Sequence, residues 1–417
     1  MGMDPVKVKE MNMPIEGGPL PGYPDVPYAQ SCSMDRCMAR AKEMMDWDSK
    51  YPCRDMGNGK VRGVGVAMAM QGSSIAGVDV GGADIKLNED GSYTLALGCT
   101  DMGTGCDTVM AQIAADCLNT PMDNIVVFSV DTDISPYDSG SYASATTYTT
   151  GVAVMKACEE LKKKICKLGA EMMEVDERKV DFDGSCVFYD DTLEISDGAD
   201  GNAAGHMTDA EEGYSVDMDA ISSENAQKKV SLEDIALKST FFNNIELQVV
   251  KQHSSPISPP PFMVGMAEVE VDTETGSVDV LDYVAVVDCG TPINPNLARV
   301  QTEGGIAQGI GMALWEDVQY TDKGKIRNNS FMQYKIPTRQ DIGNIRVDFE
   351  CSYEKSGPFG AKSIGELVID TPCPALAEAI YNATGVRLTE LPMTPEKIAM
   401  EILKNRESIR SGTKVEE

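Results

Sequence analysis

Apolar and polar positions along the chain switch between the two-residue period of strands and the spacing of helices. Residues 83–87 and 93–97 flank Asn88-Glu89-Asp90-Gly91, whose turn chemistry predicts a β-hairpin. Helical spacing follows over 106–118, and 124–130 reads as a strand. A second helix is expected over 151–168, with its lysines toward the C-terminal end. Further on, 264–271 and 278–287 form another hairpin that turns at 272–277. A Gly-rich helix is expected over 301–315, and two more over 374–383 and 395–404. Residues 1–60 are rich in Pro, Gly and Met, hold one helix-like stretch over 35–47, and read as an arm that packs on something else. Over 189–227 acidic residues, Gly and Ser displace large apolar ones, as in an exposed loop or insertion.

Strands that come mostly in hairpins favour an α+β fold over a doubly wound parallel sheet. The expected division is an arm over 1–60, a first α+β lobe over 61–240 carrying the acidic loop 190–227, and a second over 241–417. The lobes echo each other. Each hairpin ends in Asp-x-Gly, at Asp101-Met102-Gly103 and Asp288-Cys289-Gly290, and a helix follows each. Two similar lobes would bring both turns, with their backbone N–H groups, to a shared ligand.

Composition narrows the function. At 417 residues the chain can bury a large core and form two or more domains. It has no run of 18 uncharged apolar residues, so no membrane span is expected, and its start lacks the features of a secretory signal. A net charge of −30 argues against nucleic acid or an anionic membrane as partner. Twelve cysteines and 25 methionines fit a reducing cytoplasm, such as an anaerobe's. Cys32 and Cys37 have no second pair nearby, and His206 and His253 are the only histidines, so a metal site built from protein ligands is not expected.

Four segments carry candidate chemistry. Gly360-Ala361-Lys362-Ser363-Ile364-Gly365-Glu366 sets one carboxylate after a glycine and before Leu367, Val368 and Ile369. A glutamate among apolar neighbours is costly to ionise, which is the setting of a general base; the same residues also suit a loop entering a helix. Thr100-Asp101-Met102-Gly103-Thr104-Gly105-Cys106-Asp107-Thr108 is a Gly-rich turn entering a helix, able to meet a phosphate or simply to start the helix. It is neither a Walker loop nor a dinucleotide fingerprint. The stretch from Asp138 through Ser141, Tyr142, Ala143 and Ser144 to Tyr148 is rich in small hydroxylated residues, suited to wrapping a polar ligand or to an ordinary loop. The helix from Gln301 holds Gly304, Gly305, Gly309 and Gly311, each costing about 1 kcal/mol relative to alanine. That cost implies that something packs against its backbone, a ligand or another helix.

Taken together and in order, these segments resemble the molybdenum hydroxylases, the xanthine dehydrogenase and aldehyde oxidoreductase family. The likeness is to the C-terminal half of the molybdopterin-binding portion. It runs from Gly2-Met3-Asp4-Pro5 through Asp288-Cys289-Gly290-Thr291-Pro292-Ile293-Asn294-Pro295 to Met393-Thr394-Pro395-Glu396-Lys397-Ile398, leaving out the acidic loop. The resemblance implies Glu366 as the active-site base and Gln301 beside the metal's apical ligand. Ser141, Tyr142, Ala143 and Ser144 would pack at substrate and metal, with Tyr142 and Ala143 facing substrate. Gly103, Thr104, Gly105, Cys106, Asp107, Thr108, Lys362, Ser363 and Gly365 would hold the pterin and its phosphate. Molybdenum would be held by the pterin dithiolene, in the cytosine dinucleotide form, with a terminal sulfido or selenido ligand and no protein metal ligand.

The chain departs from the family at Thr104, where glutamine is usual, at Leu367-Val368, where Pro-Pro is common, and at Tyr142, where xanthine-type enzymes often have alanine. These departures resemble split members that hydroxylate nicotinate or purines. The family's iron–sulfur and flavin domains, the N-terminal half of its molybdopterin portion and an Arg-Gly-Phe-Gly segment find no counterpart. A cytoplasmic, split enzyme is therefore expected. In it the arm 1–60 packs on a large molybdopterin subunit, and separate subunits carry 2Fe-2S and FAD. The expected reaction is hydroxylation of a small N-heterocycle with water as oxygen source, active only with partners. An aldehyde oxidoreductase subunit and a catalytically degenerate scaffold are the alternatives.

Overall fold

In the computed structural model, residues 2–20, 22, 25–193, 228–243 and 245–411 are described. Most of the expected acidic loop, 194–227, lies outside them. Along the chain come α1 (Pro5–Glu10), α2 (Met34–Met45), α3 (Trp47–Lys50), β1 (Cys53–Gly57), β2 (Lys60–Met70), β3 (Gly81–Leu87) and β4 (Tyr93–Leu97). Then follow α4 (Cys106–Leu118), β5 (Ile125–Ser129), α5 (Gly151–Met173), β6 (Val180–Phe182), β7 (Cys186–Tyr189), β8 (Lys229–Ser231), α6 (Leu232–Leu237) and β9 (Gln248–His253). The last third holds β10 (Phe262–Asp272), β11 (Val278–Asp288), α7 (Pro295–Leu314), β12 (Asn344–Phe349), α8 (Pro372–Thr384) and α9 (Pro395–Ser411). No helix among the described residues is long and apolar enough to cross a membrane.

Two sheets carry the fold, in the orders β1-β2-β10-β11-β12 and β5-β4-β3-β9. Both hairpins form, β3 with β4 and β10 with β11. Each is extended by a parallel strand reached through a helix: β5 beside β4 after α4, and β12 beside β11 after α7. The echo therefore runs beyond Asp-x-Gly: hairpin, turn, helix, parallel strand, long loop, second helix (α5 or α8).

The partition differs from the expected ranges. Strand β2 pairs with β10 over its whole length, from Lys60↔Asp272 to Met70↔Phe262, so it belongs to the sheet of the second lobe. Strand β9 pairs with β3 and so belongs to the first. Segment 1–60 packs on this chain itself. Met34, Cys37, Met38, Ala41 and Met45 of α2 join Phe262, Val264, Met266, Val284 and Val286 in one buried cluster. The odd-numbered neighbours Met263, Ala267, Tyr283, Ala285 and Val287 face α7 and α8, as strand alternation requires. Both faces of this sheet are thus covered, which explains the near-continuous apolar run of β10 and β11.

Gly63 and Gly65 let α8 lie directly on β2. A Cβ on Gly65 would stand 2.1 Å from the Ala375 carbonyl oxygen, and one on Gly63 2.2 Å from that of Ala379. Three of the glycines in α7 have the same explanation. Gly305 meets Val368, Gly309 meets Pro372 and Gly311 meets Pro337, whereas Gly304 has open space before it. Close packing within the chain accounts for the cost at these three positions and not at Gly304.

Candidate active site

The two Asp-x-Gly turns converge on one cavity of about 290 Å³ between the lobes. Met102, Thr104 and Cys106 line one side, and Cys289, Thr291 and Asn294 another. The glycine amides do not face the cavity freely. Gly103 and Gly105 N–H donate to Asp101 Oδ1 at 2.8 and 3.1 Å, and Gly290 N–H donates to Asp288 Oδ1 at 2.9 Å. Both turns are therefore Asx-type corners whose aspartates fix the backbone. Asn294 caps α7 by accepting from Leu297 N–H, and its Nδ2 donates to Gln112, tying the start of α7 to the middle of α4.

Glu366 stands at the cavity wall just before a short turn over Leu367–Ile369. It is solvent-exposed, so the apolar enclosure expected from its sequence neighbours is absent; Leu367 and Val368 point into the core instead. Its backbone N–H donates to Ser144 Oγ at 2.9 Å. Its carboxylate Oε2 accepts from Ser144 Oγ at 3.1 Å and from Gln71 Nε2 at 2.6 Å. Gln301 lies nearly two turns into α7, and its Nε2 donates to the Gly365 carbonyl at 2.9 Å. Asp370 faces the same carboxylate; burial and the charge of Glu366 push its carboxyl up.

The loop that supplies Ser144 is held in an uncommon backbone shape. Ala143 and Ser144 both take left-handed φ, +51° and +57°, at about 1 kcal/mol each. The Ala143 carbonyl accepts from Ser74 N–H at 3.0 Å. A Cβ at 365 would stand 3.1 Å from Ser144 Oγ, so a side chain there would push that hydroxyl aside by a few tenths of an ångström. The preceding residues are sewn to the second turn, with Lys362 N–H donating to the Cys289 carbonyl and Thr291 N–H to that of Gly360.

Of the residues singled out by sequence, Thr104, Cys106, Ser141, Ser144, Gln301, Lys362, Ser363, Gly365 and Glu366 line the cavity. Gly103 and Gly105 shape its turn, at φ +106° and +75°. Asp107 is turned to Ser129, whose Oγ donates to it at 3.1 Å, and Thr108 is exposed on α4. Tyr142, 48 % exposed, and Ala143 stand outside the lining.

Lys362 turns its ammonium into the protein interior rather than toward the cavity. It is wholly buried on Asp288 Oδ1 at 3.1 Å, donates to the Ser31 carbonyl at 3.2 Å, and sits 4.9 Å from the centre of the Phe262 ring. Asp288 also accepts from Ser33 N–H and Ser352 Oγ, so one buried carboxylate joins the N-terminal segment, the second turn and the loop leading to Glu366. Sequence reasoning missed Asp288 as this hub, and missed Gln71 and Ser73. Ser73 Oγ accepts from Ser363 N–H at 3.0 Å. Only the pairing of β2 with β10 brings 71–73 to the site.

The residues present fit a pterin cofactor. The wall offers the hydroxyls of Thr104, Ser141, Ser144, Thr146, Thr147 and Thr291, with Glu366 as its one carboxylate. Gly105 leaves the first amides of α4 without a side-chain cap, an N-terminus open to an anion. Among the described residues one set of three, Asp101, Cys106 and Asp107, could meet at an ion, but both aspartates are already engaged as above. Burial pushes the neighbouring Cys289 thiol up to about 12, away from the thiolate that binds metal.

A cradle of hydroxyl and apolar side chains between two repeated α+β lobes, with a held carboxylate on its wall, suits an organic ligand with polar and apolar parts. The comparisons make the class specific: residues 40–343 match the molybdopterin cofactor-binding domain, and the chain belongs to that family. It is 33 % identical over 380 residues to a protein of Escherichia coli K12 named "Probable hypoxanthine oxidase XdhD", covering 89 % of this chain and 35 % of that one. It is 29 % identical over 407 residues to the xanthine dehydrogenase molybdenum-binding subunit of Escherichia coli O157:H7, covering 95 % and 49 %. The chain thus spans about a third to a half of the length of these relatives. Quinoline 2-oxidoreductase from Pseudomonas putida 86 shares the fold, with a TM-score of 0.79 at 22 % identity over 97 % of this chain and 50 % of that one.

Proposed function

We propose that this chain is the molybdopterin-binding component of a hydroxylase that oxidises an N-heterocycle of the purine or nicotinate type, with water as the oxygen source. The observation that carries the reading is Glu366 on the wall of the cofactor cradle, with its backbone and one carboxylate oxygen both fixed by hydrogen bonds. When bound, the molybdenum–pterin group supplies a Lewis acid and a two-electron acceptor. Glu366 takes the proton from the attacking oxygen of water as that oxygen bonds to an electron-poor ring carbon; the hydrogen on that carbon leaves with its electron pair, which the cofactor would accept. Ser144 and Gln301 hold the glutamate's loop at the cradle, and Thr104 with the open start of α4 bind the pterin's polar end. The names of the relatives, a hypoxanthine oxidase and a xanthine dehydrogenase subunit, support the purine class.

The reading includes a cytosine dinucleotide form of the cofactor, a sulfido or selenido ligand, a cytoplasmic location, and iron–sulfur and flavin centres on partner subunits. It also includes a complementary molybdopterin-binding portion against this chain. Exposed apolar side chains between α7 and β12 support such a surface: Phe331 is 78 % and Met332 86 % exposed, and Tyr320, Ile326 and Ile336 are exposed beside them. The test is an E366Q variant in the natively purified complex, assayed on hypoxanthine, xanthine, nicotinate and an aromatic aldehyde. Loss of heterocycle turnover with molybdenum content unchanged is expected. Unchanged turnover overturns the base role, a preference for aldehyde moves the enzyme to the aldehyde oxidoreductases, and no turnover by wild type leaves a scaffold.

A further inference from the structure

Glu366 meets donors from two distant parts of the chain, and one of them belongs to no recognisable motif. Gln71 follows directly on β2, whose last residue, Met70, is paired with Phe262 of β10. That pairing delivers its side-chain amide to Glu366 Oε2 at 2.6 Å, across a separation of 295 residues. The amide's other end, Oε1, is buried and has no hydrogen-bond partner among the described residues. Turning the amide over would set a carbonyl against a carboxylate, so the NH₂ group is held toward Glu366. The segment itself is anchored. A Cβ on Gly72 would strike Ser258 Oγ at 2.4 Å, and Ser73 bonds the backbone of Ser363. Both donors, Gln71 and Ser144, fall on Oε2, which leaves Oε1 uncommitted among the described residues.

We propose that Gln71 is a positioning residue for Glu366, locking Oε2 so that Oε1 is the oxygen presented for proton transfer. The catalytic half of this inference rests on the function proposed above; the hydrogen bond itself does not. A hydrogen bond to a charged group fixes both the ionised form and its orientation, and its loss from an active base corresponds to about 10- to 100-fold in rate. Asp370 is the nearby charge that repels the carboxylate, so the donated hydrogen bonds from Gln71 and Ser144 counter it.

Two readouts test it on the full chain. In the chain labelled with [¹⁵N]glutamine, the side-chain NH₂ signal that disappears in Q71L is the one expected to shift most in E366Q. A signal unmoved by E366Q overturns the hydrogen bond. In the native complex, Q71L and the shorter Q71N are expected to lower kcat about 10- to 100-fold, with KM within about twofold and molybdenum content unchanged. Wild-type kcat in Q71N overturns the positioning role. If E366Q keeps full turnover while the NMR shift is seen, the base reading fails and the contact stands as structural.

Discussion

Replacing Lys362 with methionine keeps most of the buried volume and removes one charge from a pair with no solvent exposure on either side. Breaking a buried ion pair costs about 3–5 kcal/mol, because the remaining charge is left uncompensated. Here the cost falls at the lower end. Asp288 keeps neutral donors from Ser33 N–H at 2.8 Å, Gly290 N–H at 2.9 Å and Ser352 Oγ at 2.8 Å. We therefore expect K362M to lose about 3 kcal/mol. With a urea dependence near 3 kcal/mol per molar, the midpoint should fall by about 1 M. Trp47, buried in the cluster between the N-terminal segment and the sheet, and Trp315 at the end of α7 report the transition by fluorescence. D288N alone strands the ammonium and should cost a similar amount, while the double variant should recover about 2 kcal/mol of the summed loss. Two results would refute the reasoning: a K362M midpoint within the error of wild type, or strict additivity of the two changes. A K362M chain of wild-type stability that had lost its cofactor would restore Lys362 as a phosphate ligand.

Further expectations concern packing and pH. G65A places a methyl group 2.1 Å from a backbone oxygen of α8, which cannot yield as a side chain can. It should cost about 3 kcal/mol in the same denaturation assay. His253 titrates at about 4 instead of 6.5, because burial, and then Lys156, disfavour its charged form. A depressed histidine favours the fold fully above pH 6.5, and that contribution is lost as pH falls toward 4, where the unfolded chain binds the extra proton. The H253N variant should flatten this part of the stability profile; an unchanged profile removes His253 as its source.

Local elements were legible because local chemistry decides them. The helix from Cys106 to Leu118 and the two hairpins stand where period and turn residues put them. The helix expected from Gln301 begins instead at Pro295, a start that Asn294 as cap and proline in the first turn encode directly. Sheet membership was not legible. Nothing near β2 announces a partner about 200 residues away, and its glycines make sense only once α8 lies on them. The same long-range pairing hid Gln71 from the site. Lys362 was assigned outward by resemblance, whereas the buried Asp288 draws its ammonium inward. Motifs pointed to the segments that line the cavity, Glu366 among them; tertiary contacts decided which way each side chain turns.

The central claim is that this chain cradles a molybdenum–pterin cofactor, and metal content tests it most directly. Elemental analysis of the natively purified complex should return about one molybdenum per copy of this chain, with iron co-purifying from a partner. A complex with its native partners intact and no molybdenum would contradict the account.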